Sequence, residues 1–113
     1  RIMSRPDEAR LVKVQQDIRA ISSALDLYRL DNFSYPTTDE GLEALVSRPD
    51  TLKPGARWKD GGYFDQLPKD PWGNDYVYLF PGQHSTYDLY SYGADGTAGG
   101  QGVSADVGNW NSQ

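Results

Sequence analysis

Residues 6–32 repeat apolar side chains at alternating steps of three and four residues, and this pattern limits the possible folds more than any other feature. The repeating positions are Leu11, Val14, Ile18, Ile21, Leu25 and Tyr28. The spacing predicts one amphipathic helix whose apolar stripe Ala20, Ala24 and Leu27 widen. At a rise of about 1.5 Å per residue the helix would be about 40 Å long, which is long for a small domain. The rest of the chain, or other copies of it, must cover the stripe.

The residues at the two ends of this segment agree with a helix. Ser4 suits the N-cap, and Pro6 suits the first turn, where its missing N–H costs nothing. Asp7 and Glu8 favour the helix dipole at this end. We expect the helix to fade at Asp31 and Asn32, because an extended segment and a proline follow.

Length and composition indicate one domain with one modest core. The chain has 113 residues, 37% of them hydrophobic, and no cysteine, so no disulfide can stabilise it. Its net charge of −5 argues against nucleic acid as a partner. The chain has no initiator methionine at position 1 and no membrane span, and we expect it to be part of a longer native protein.

The remainder of the sequence predicts an α+β domain, with the long helix packed on a small antiparallel sheet of about three strands. In residues 33–74 we predict a variable region: a short second helix over 37–46 with a Thr37–Glu40 capping box, a surface loop over 49–62 and a turn over 70–74. Residues 75–80 and 86–92 predict a hairpin, and residues 103–110 a short third strand. Together, residues 75–113 would hold the sheet and a glycine-rich loop.

The last third of the chain is acidic and ends in this glycine-rich loop. No Lys or Arg follows Lys69, and five of the ten residues from 93 to 102 are glycine. Plain turn chemistry and phosphate binding are two interpretations, although no Gly-Lys-Ser/Thr motif or following helix supports the second. A calcium site is the third. The Asp95 and Asp106 carboxylates, a Ser104 oxygen and the carbonyls of Tyr92 and Val103 could form an oxygen shell.

Five segments resemble the major pseudopilins of bacterial type II secretion systems. They are residues 30–38 (LDNFSYPTT), 40–45 (EGLEAL), 67–74 (LPKDPWGN), 91–96 (SYGADG) and 105–110 (ADVGNW). The resemblance follows nearly the whole chain in order. It implies a pilin-like fold with a preceding apolar helix, continuous with residues 1–32, that spans the inner membrane before assembly.

The resemblance also implies a function. Such a protein is a structural subunit, not an enzyme, and its head lies in the periplasm. It polymerises with itself into the pseudopilus, driven by a cytoplasmic ATPase, and pushes exoproteins through an outer-membrane channel. Minor pseudopilins and an inner-membrane platform would be its other partners.

The resemblance favours calcium as the ligand of the glycine-rich loop. Among the candidate ligands, Asp95 and Asp106 match the calcium-binding motifs of the family best. Ser104 occupies a position where some relatives have acidic residues. Two carboxylates match the charge of the ion, and an ion bound only by the folded state would offset the entropy of ordering the loop. We therefore expect calcium to raise the melting temperature and Asp95→Ala to remove most of that gain.

Other functions remain open at this stage. A type IV pilin or a minor pseudopilin would share the architecture, but the paired C-terminal cysteines of the former are absent. A calcium-dependent carbohydrate-binding module would use Trp58, Trp72 and Trp110, although such tryptophans are more often part of a core. His84, the only histidine, is predicted to be a solvated loop residue.

The charges of the long helix allow two interpretations. They could pair with acidic groups of neighbouring subunits, such as Asp39, Glu40 or Glu43, or they could be a solvated face that contributes little. The helical charges in question are Arg10, Lys13, Asp17, Arg19, Asp26 and Arg29.

Overall fold

The computed structural model describes residues 3–111, which form one long helix and a small sheet. The elements are helix α1 (Arg5–Asn32) and strands β1 (Val77–Leu79), β2 (Asp88–Ser91) and β3 (Val107–Gly108). The strands form one antiparallel sheet in the order β1-β2-β3. The predicted α+β architecture, a long helix on about three strands, is therefore confirmed.

Both ends of α1 lie where the sequence predicts them. The Ser4 side chain accepts a hydrogen bond from the Asp7 N–H at 3.3 Å, as an N-cap does. At the other end Phe33 adopts a left-handed conformation with φ 71°, and its N–H donates to the Arg29 carbonyl at 2.9 Å. This turn stops the helix and directs the chain back along the head.

One side of α1 supplies half of the core. Five of the six predicted stripe residues are buried, and Leu11 near the helix start is half-buried. The prediction that Ala20 and Leu27 widen the stripe is wrong, because both lie on the exposed side of the helix, and only Ala24 is buried. They pack against a cluster formed by the turns and strands: Ala44, Leu45, Tyr76, Tyr78, Tyr87 and Leu89. Burial of this apolar surface, at about 25 cal/mol per Å², is the main term that holds the helix to the sheet.

Asp17 departs from the prediction that it belongs to the charged outer face. It is buried beside the apolar stripe, and its carboxylate accepts a hydrogen bond from the Tyr76 hydroxyl at 2.7 Å. Lys13 contacts the same carboxylate at 2.6 Å. Because Asp17 is satisfied inside the chain, it is not available to a neighbouring subunit.

The predicted second helix over 37–46 is wrong in type and length. The Thr37–Glu40 capping box forms, with reciprocal hydrogen bonds of 2.9 and 3.1 Å. Gly41 then takes φ 65° and ψ −170°, which no α-helix can accommodate, and only a 3-10 turn, Leu42–Leu45, follows. Ala44 and Leu45 of that turn still reach the core.

The strands are shorter than predicted because side chains take over their hydrogen bonds. The ladder pairs Val77 with Tyr90 and Ser91 with Val107. In the β1–β2 connection, the buried Asp88 carboxylate accepts backbone N–H bonds from residues 83–85. Burial alone would raise the pKa of Asp88, but the His84 ring and these N–H groups lower it below its usual value.

His84 is exposed, as predicted, but it is not free in solvent. Its Nδ1 lies 3.0 Å from Asp88, and its ring stacks on Trp110 at 4.0 Å with planes 5° apart. These contacts fasten the β1–β2 connection to the segment after β3.

None of the helices within residues 3–111 has the length and apolar character that a membrane crossing requires.

Candidate metal centre

The glycine-rich segment between β2 and β3 closes into a loop by backbone contacts. The Ala94 N–H donates to the Val103 carbonyl at 2.7 Å, at the base of the loop. A short 3-10 turn, Gly102–Ser104, then leads the chain back towards β3. Because Ser91 pairs with Val107, the next residues outward, Tyr92 and Asp106, leave the sheet side by side.

Two carbonyl oxygens converge on Gly93 at the base of this loop. A Cβ built on Gly93 would lie 2.7 Å from the carbonyl oxygens of both Val103 and Ala105. Gly93 also has φ +84°, a left-handed conformation that side chains disfavour. Only glycine fits here, so the loop base is a small cradle lined by backbone oxygens.

Four of the five predicted ligands lie at this cradle or on its borders. Val103 supplies one of its carbonyls, and Tyr92 and Asp106 flank it at the end of the sheet. The Asp106 carboxylate accepts the Gly99 N–H at 3.1 Å, which draws the loop tip towards β3. The Ser104 carbonyl points at Gly100, where a Cβ would clash with it.

Asp95, the fifth predicted ligand, is placed differently. Its side chain is exposed and accepts the Thr97 N–H at 3.1 Å, as in a local turn. That hydrogen bond uses one lone pair of one carboxylate oxygen. The other lone pairs of the carboxylate stay available to a cation.

The sequence did not reveal the buried groups that form hydrogen bonds to the base of the loop. The Ser91 hydroxyl donates to the buried Asp70 carboxylate at 2.7 Å and accepts the Gly93 N–H at 3.0 Å. The Asp70 Oδ1 also accepts the Trp72 and Asn74 N–H groups within its own turn. The sequence indicates the turn at residues 70–74. It does not indicate the hydrogen bond between this turn and Ser91, because Ser91 lies 21 positions after Asp70.

The chemistry of this donor set fits a hard cation held mainly by oxygen atoms of the backbone. Within residues 3–111, no three His, Asp or Glu side chains are close enough together to hold a metal ion. Calcium, however, accepts roughly six to eight oxygens, and carbonyls serve as well as carboxylates. Burial and the Tyr92 hydroxyl raise the pKa of Tyr90 to about 12, with Asp106 adding to the rise.

The tryptophans considered for sugar binding contact other residues of the head. Trp58 donates its indole N–H to the Ala44 carbonyl at 2.8 Å and packs with Trp72 against the core. Trp110 lies between His84 and Tyr90. Since all three rings are half-buried by neighbours, they do not form a flat exposed platform.

Comparison with known proteins gives consistent matches along the chain. The family model described as type II secretion system (T2SS), protein G, matches residues 1–110. The type II secretion system core protein G of Pseudomonas aeruginosa is 52% identical over 111 residues, covering 98% of this chain and 78% of that protein. The protein of the same name from Vibrio cholerae is 52% identical over 112 residues, covering 99% and 76%.

A solved structure matches the fold as well as the sequence. It is the crystal structure of the major pseudopilin from the type 2 secretion system of enterohaemorrhagic Escherichia coli. The two structures superimpose with a TM-score of 0.80 at 49% sequence identity, covering 93% of this chain and 90% of the other.

Proposed function

Because the chain belongs to the protein G family of type II secretion systems, the family of the major pseudopilins, we propose that it is the repeating subunit of a periplasmic pseudopilus. In this role it polymerises with itself, and growth of the filament drives the export of exoproteins. The single observation that carries the proposal is the family match along residues 1–110, together with the fold that this match predicts.

The architecture suits such a subunit. The 28-residue helix is covered by the head on one side only, so its other side can meet further chains. The other components of the machine, minor pseudopilins and an inner-membrane platform, would contact the ends of the filament. An apolar segment continuous with α1 would anchor the subunit in the inner membrane before assembly, with the head in the periplasm.

Calcium is the ion that we propose for the loop between β2 and β3. The carboxylates of Asp95 and Asp106, the carbonyls of Tyr92 and Val103 and an oxygen of Ser104 would hold it, and the Ala105 carbonyl adds a sixth group. When bound, the ion cross-links segments of a loop rich in glycine. The loop's own residues bring Asp106 to Gly99 and Val103 to Ala94.

Deletion and complementation in the host bacterium test the filament role. Loss of the gene should stop secretion of type II substrates, and the intact gene on a plasmid should restore it. Overproduction together with the other secretion components should give filaments, visible by electron microscopy, that contain this chain. Normal secretion in the deletion strain would contradict the proposal.

A glycan-binding screen with and without calcium separates this role from a carbohydrate-binding module. The packed tryptophans predict no calcium-dependent signal. Clear binding to one glycan class would favour the module instead.

A further inference from the structure

A small cavity lies between the end of α1 and the two loop segments that follow it. About 70 Å³ of this cavity is open to the centres of water-sized molecules. Since one water needs roughly 10–15 Å³ of such volume, the cavity accepts a few waters or one group of similar size. Its lining includes the side chains of Tyr28, Asn32, Thr37, Glu40, Thr51 and Lys53.

Asn32 brings a buried acceptor without a partner to this cavity. The residue keeps only 3% of its surface exposed, and its Oδ1 receives no hydrogen bond from any group within residues 3–111. The orientation of the amide is fixed, because its Nδ2 donates to the Tyr28 carbonyl at 3.0 Å and a carbonyl can only accept. A buried acceptor left in this way is costly, so Asn32 favours a ligand that donates.

Glu40 adds a negative charge with unused acceptor capacity. One of its carboxylate oxygens accepts the Thr37 N–H at 2.9 Å, and the other accepts the Thr51 hydroxyl. A carboxylate has about four acceptor sites, so about two remain open. Burial, followed by the Glu40 charge, raises the pKa of Tyr28 to about 12, so this charge acts on the buried Tyr28 beside the cavity.

These two groups define the chemistry of a ligand. An anion would be repelled by Glu40 and would leave the Asn32 acceptor unsatisfied. Water can donate to both groups, but it brings no charge to compensate the carboxylate. A primary ammonium has three N–H donors and a positive charge, and its compact head matches the size of the cavity.

Lys53 carries such an ammonium at the same cavity. Its side chain is exposed, lines the cavity and forms no ion pair within residues 3–111. It lies two positions after Thr51, whose hydroxyl is bonded to Glu40. The flexible four-carbon stem of a lysine allows the ammonium to turn inward.

We propose that this cavity is a binding site for a primary ammonium group, which donates to Asn32 Oδ1 and pairs with the Glu40 carboxylate. The ammonium comes from Lys53 of the same chain or from a small free amine. Because Oδ1 is closed to bulk water, binding requires a small movement of the cavity walls. The bound group would tie residues 51–53 to the end of α1, independently of the calcium loop and of the filament role.

Chemical rescue with methylammonium tests the site. Lys53→Ala removes the ammonium on the chain, and its melting temperature is measured in increasing methylammonium chloride. Tetramethylammonium chloride is the matched salt, because it carries the same charge but no N–H donor. We expect methylammonium to raise the melting temperature of K53A along a saturating curve that tetramethylammonium does not reproduce. Equal effects of the two salts would overturn the site, since water alone would then satisfy the cavity.

A charge variant locates the effect in the cavity. Glu40→Gln removes the charge but keeps the capping box, in which Gln serves as Glu does. K53A/E40Q should lose the methylammonium gain, whereas K53A/E43Q should keep it, because Glu43 is exposed and contacts only Ser47 at 3.4 Å. A gain that persists in K53A/E40Q would overturn the role of Glu40.

The side-chain amide signal of Asn32 in NMR spectra gives a readout that does not depend on stability. It should shift when methylammonium is added to K53A, and it should stay in place with tetramethylammonium. An unchanged Asn32 signal with both salts would overturn the proposal even if K53A/E40Q failed to fold.

The unaltered protein distinguishes the two sources of the ammonium. If Lys53 fills the cavity, K53A should melt at a lower temperature than K59A, which removes another exposed lysine without an ion pair within residues 3–111. Methylammonium should then act on K53A alone. If a free amine is the natural ligand, methylammonium should stabilise the unaltered protein as well.

Discussion

The Ser91 hydroxyl donates a hydrogen bond of 2.7 Å to the carboxylate of Asp70, and both groups are buried. The Ser91 oxygen also accepts the Gly93 N–H at 3.0 Å. A turn before the sheet is thereby joined to the first residue of the candidate calcium loop. The loop base is held by groups that lie outside the proposed set of ligands.

Ser91→Ala should destabilise the fold because it breaks both of these bonds at once. The buried Asp70 carboxylate would lose one donor, and the Gly93 N–H would lose its acceptor. We expect the free energy of unfolding to fall by about 1–3 kcal/mol. Chemical denaturation measures this, with Ser47→Ala as the control, since its exposed hydroxyl makes only a 3.4 Å contact to Glu43. Equal stability of the two variants would contradict the role of Ser91.

Gly93→Ala should damage the loop beyond the cost of its backbone conformation. A Cβ at Gly93 would meet two carbonyl oxygens at 2.7 Å, whereas one at Gly61 would meet nothing within 4 Å. Both glycines have nearly the same φ, +84° and +83°, so Gly61→Ala measures the conformational term alone, about 1–2 kcal/mol. We expect a larger loss of unfolding free energy, and weaker calcium binding, only for Gly93→Ala. Equal losses would show that no close cradle exists.

Calcium should raise the melting temperature of the protein. An ion that binds only the folded state, at a hundredfold excess over its dissociation constant, stabilises it by about 2.7 kcal/mol. Asp95→Ala should remove most of the gain. Asp75→Ala, which changes an exposed aspartate paired with Lys69 outside the loop, should keep it. Identical melting curves in calcium and in chelator would contradict the site.

The helix was predictable because its signals are local and repeated. The three–four spacing, the Ser4 cap and the extended segment before Pro36 each follow from neighbouring residues, and the structure agrees with all three. The prediction of a second helix was wrong because of one backbone conformation, that of Gly41. Sequence alone does not reveal whether a glycine within a helical pattern takes a positive φ.

The candidate site was predictable only where it depends on side-chain type. Asp95 and Asp106 stand out as carboxylates in a glycine-rich, acidic segment. The Ala105 carbonyl does not, because every residue has one and only the folded chain directs it at Gly93. Likewise, Asp17 seemed to belong to a charged face because its partner, Tyr76, lies 59 residues away.

Tyr76→Phe should be more costly than Tyr35→Phe, although each removes one hydroxyl bonded to a carboxylate. The Tyr76 hydroxyl donates to the buried Asp17 at 2.7 Å, and its loss leaves a buried charge with Lys13 alone. Tyr35 donates to the exposed Asp26 at 3.1 Å, where water replaces it. We expect about 1.5–3 kcal/mol for the first and less than about 1 kcal/mol for the second. Similar values from chemical denaturation would mean that Asp17 is hydrated in the folded protein.

Stability should also fall in alkaline solution, because buried tyrosines resist ionisation. Burial, with smaller contributions from Glu40 and Tyr63, raises the pKa of Tyr28 from 10.0 to about 12. Burial also raises the pKa of Tyr78. A folded pKa above the unfolded value means that the stabilisation is complete below pH 10 and is lost as pH rises towards 12.

Denaturation midpoints across this pH range give the measurement for Tyr28. Tyr28→Phe has no proton to lose there, so its stability should fall less steeply than that of the unaltered protein between pH 10 and 12. Contributions that the two proteins share cancel in the comparison. Parallel slopes for the two proteins would mean that the Tyr28 hydroxyl ionises without cost in the folded state, and its placement in the core would then be wrong.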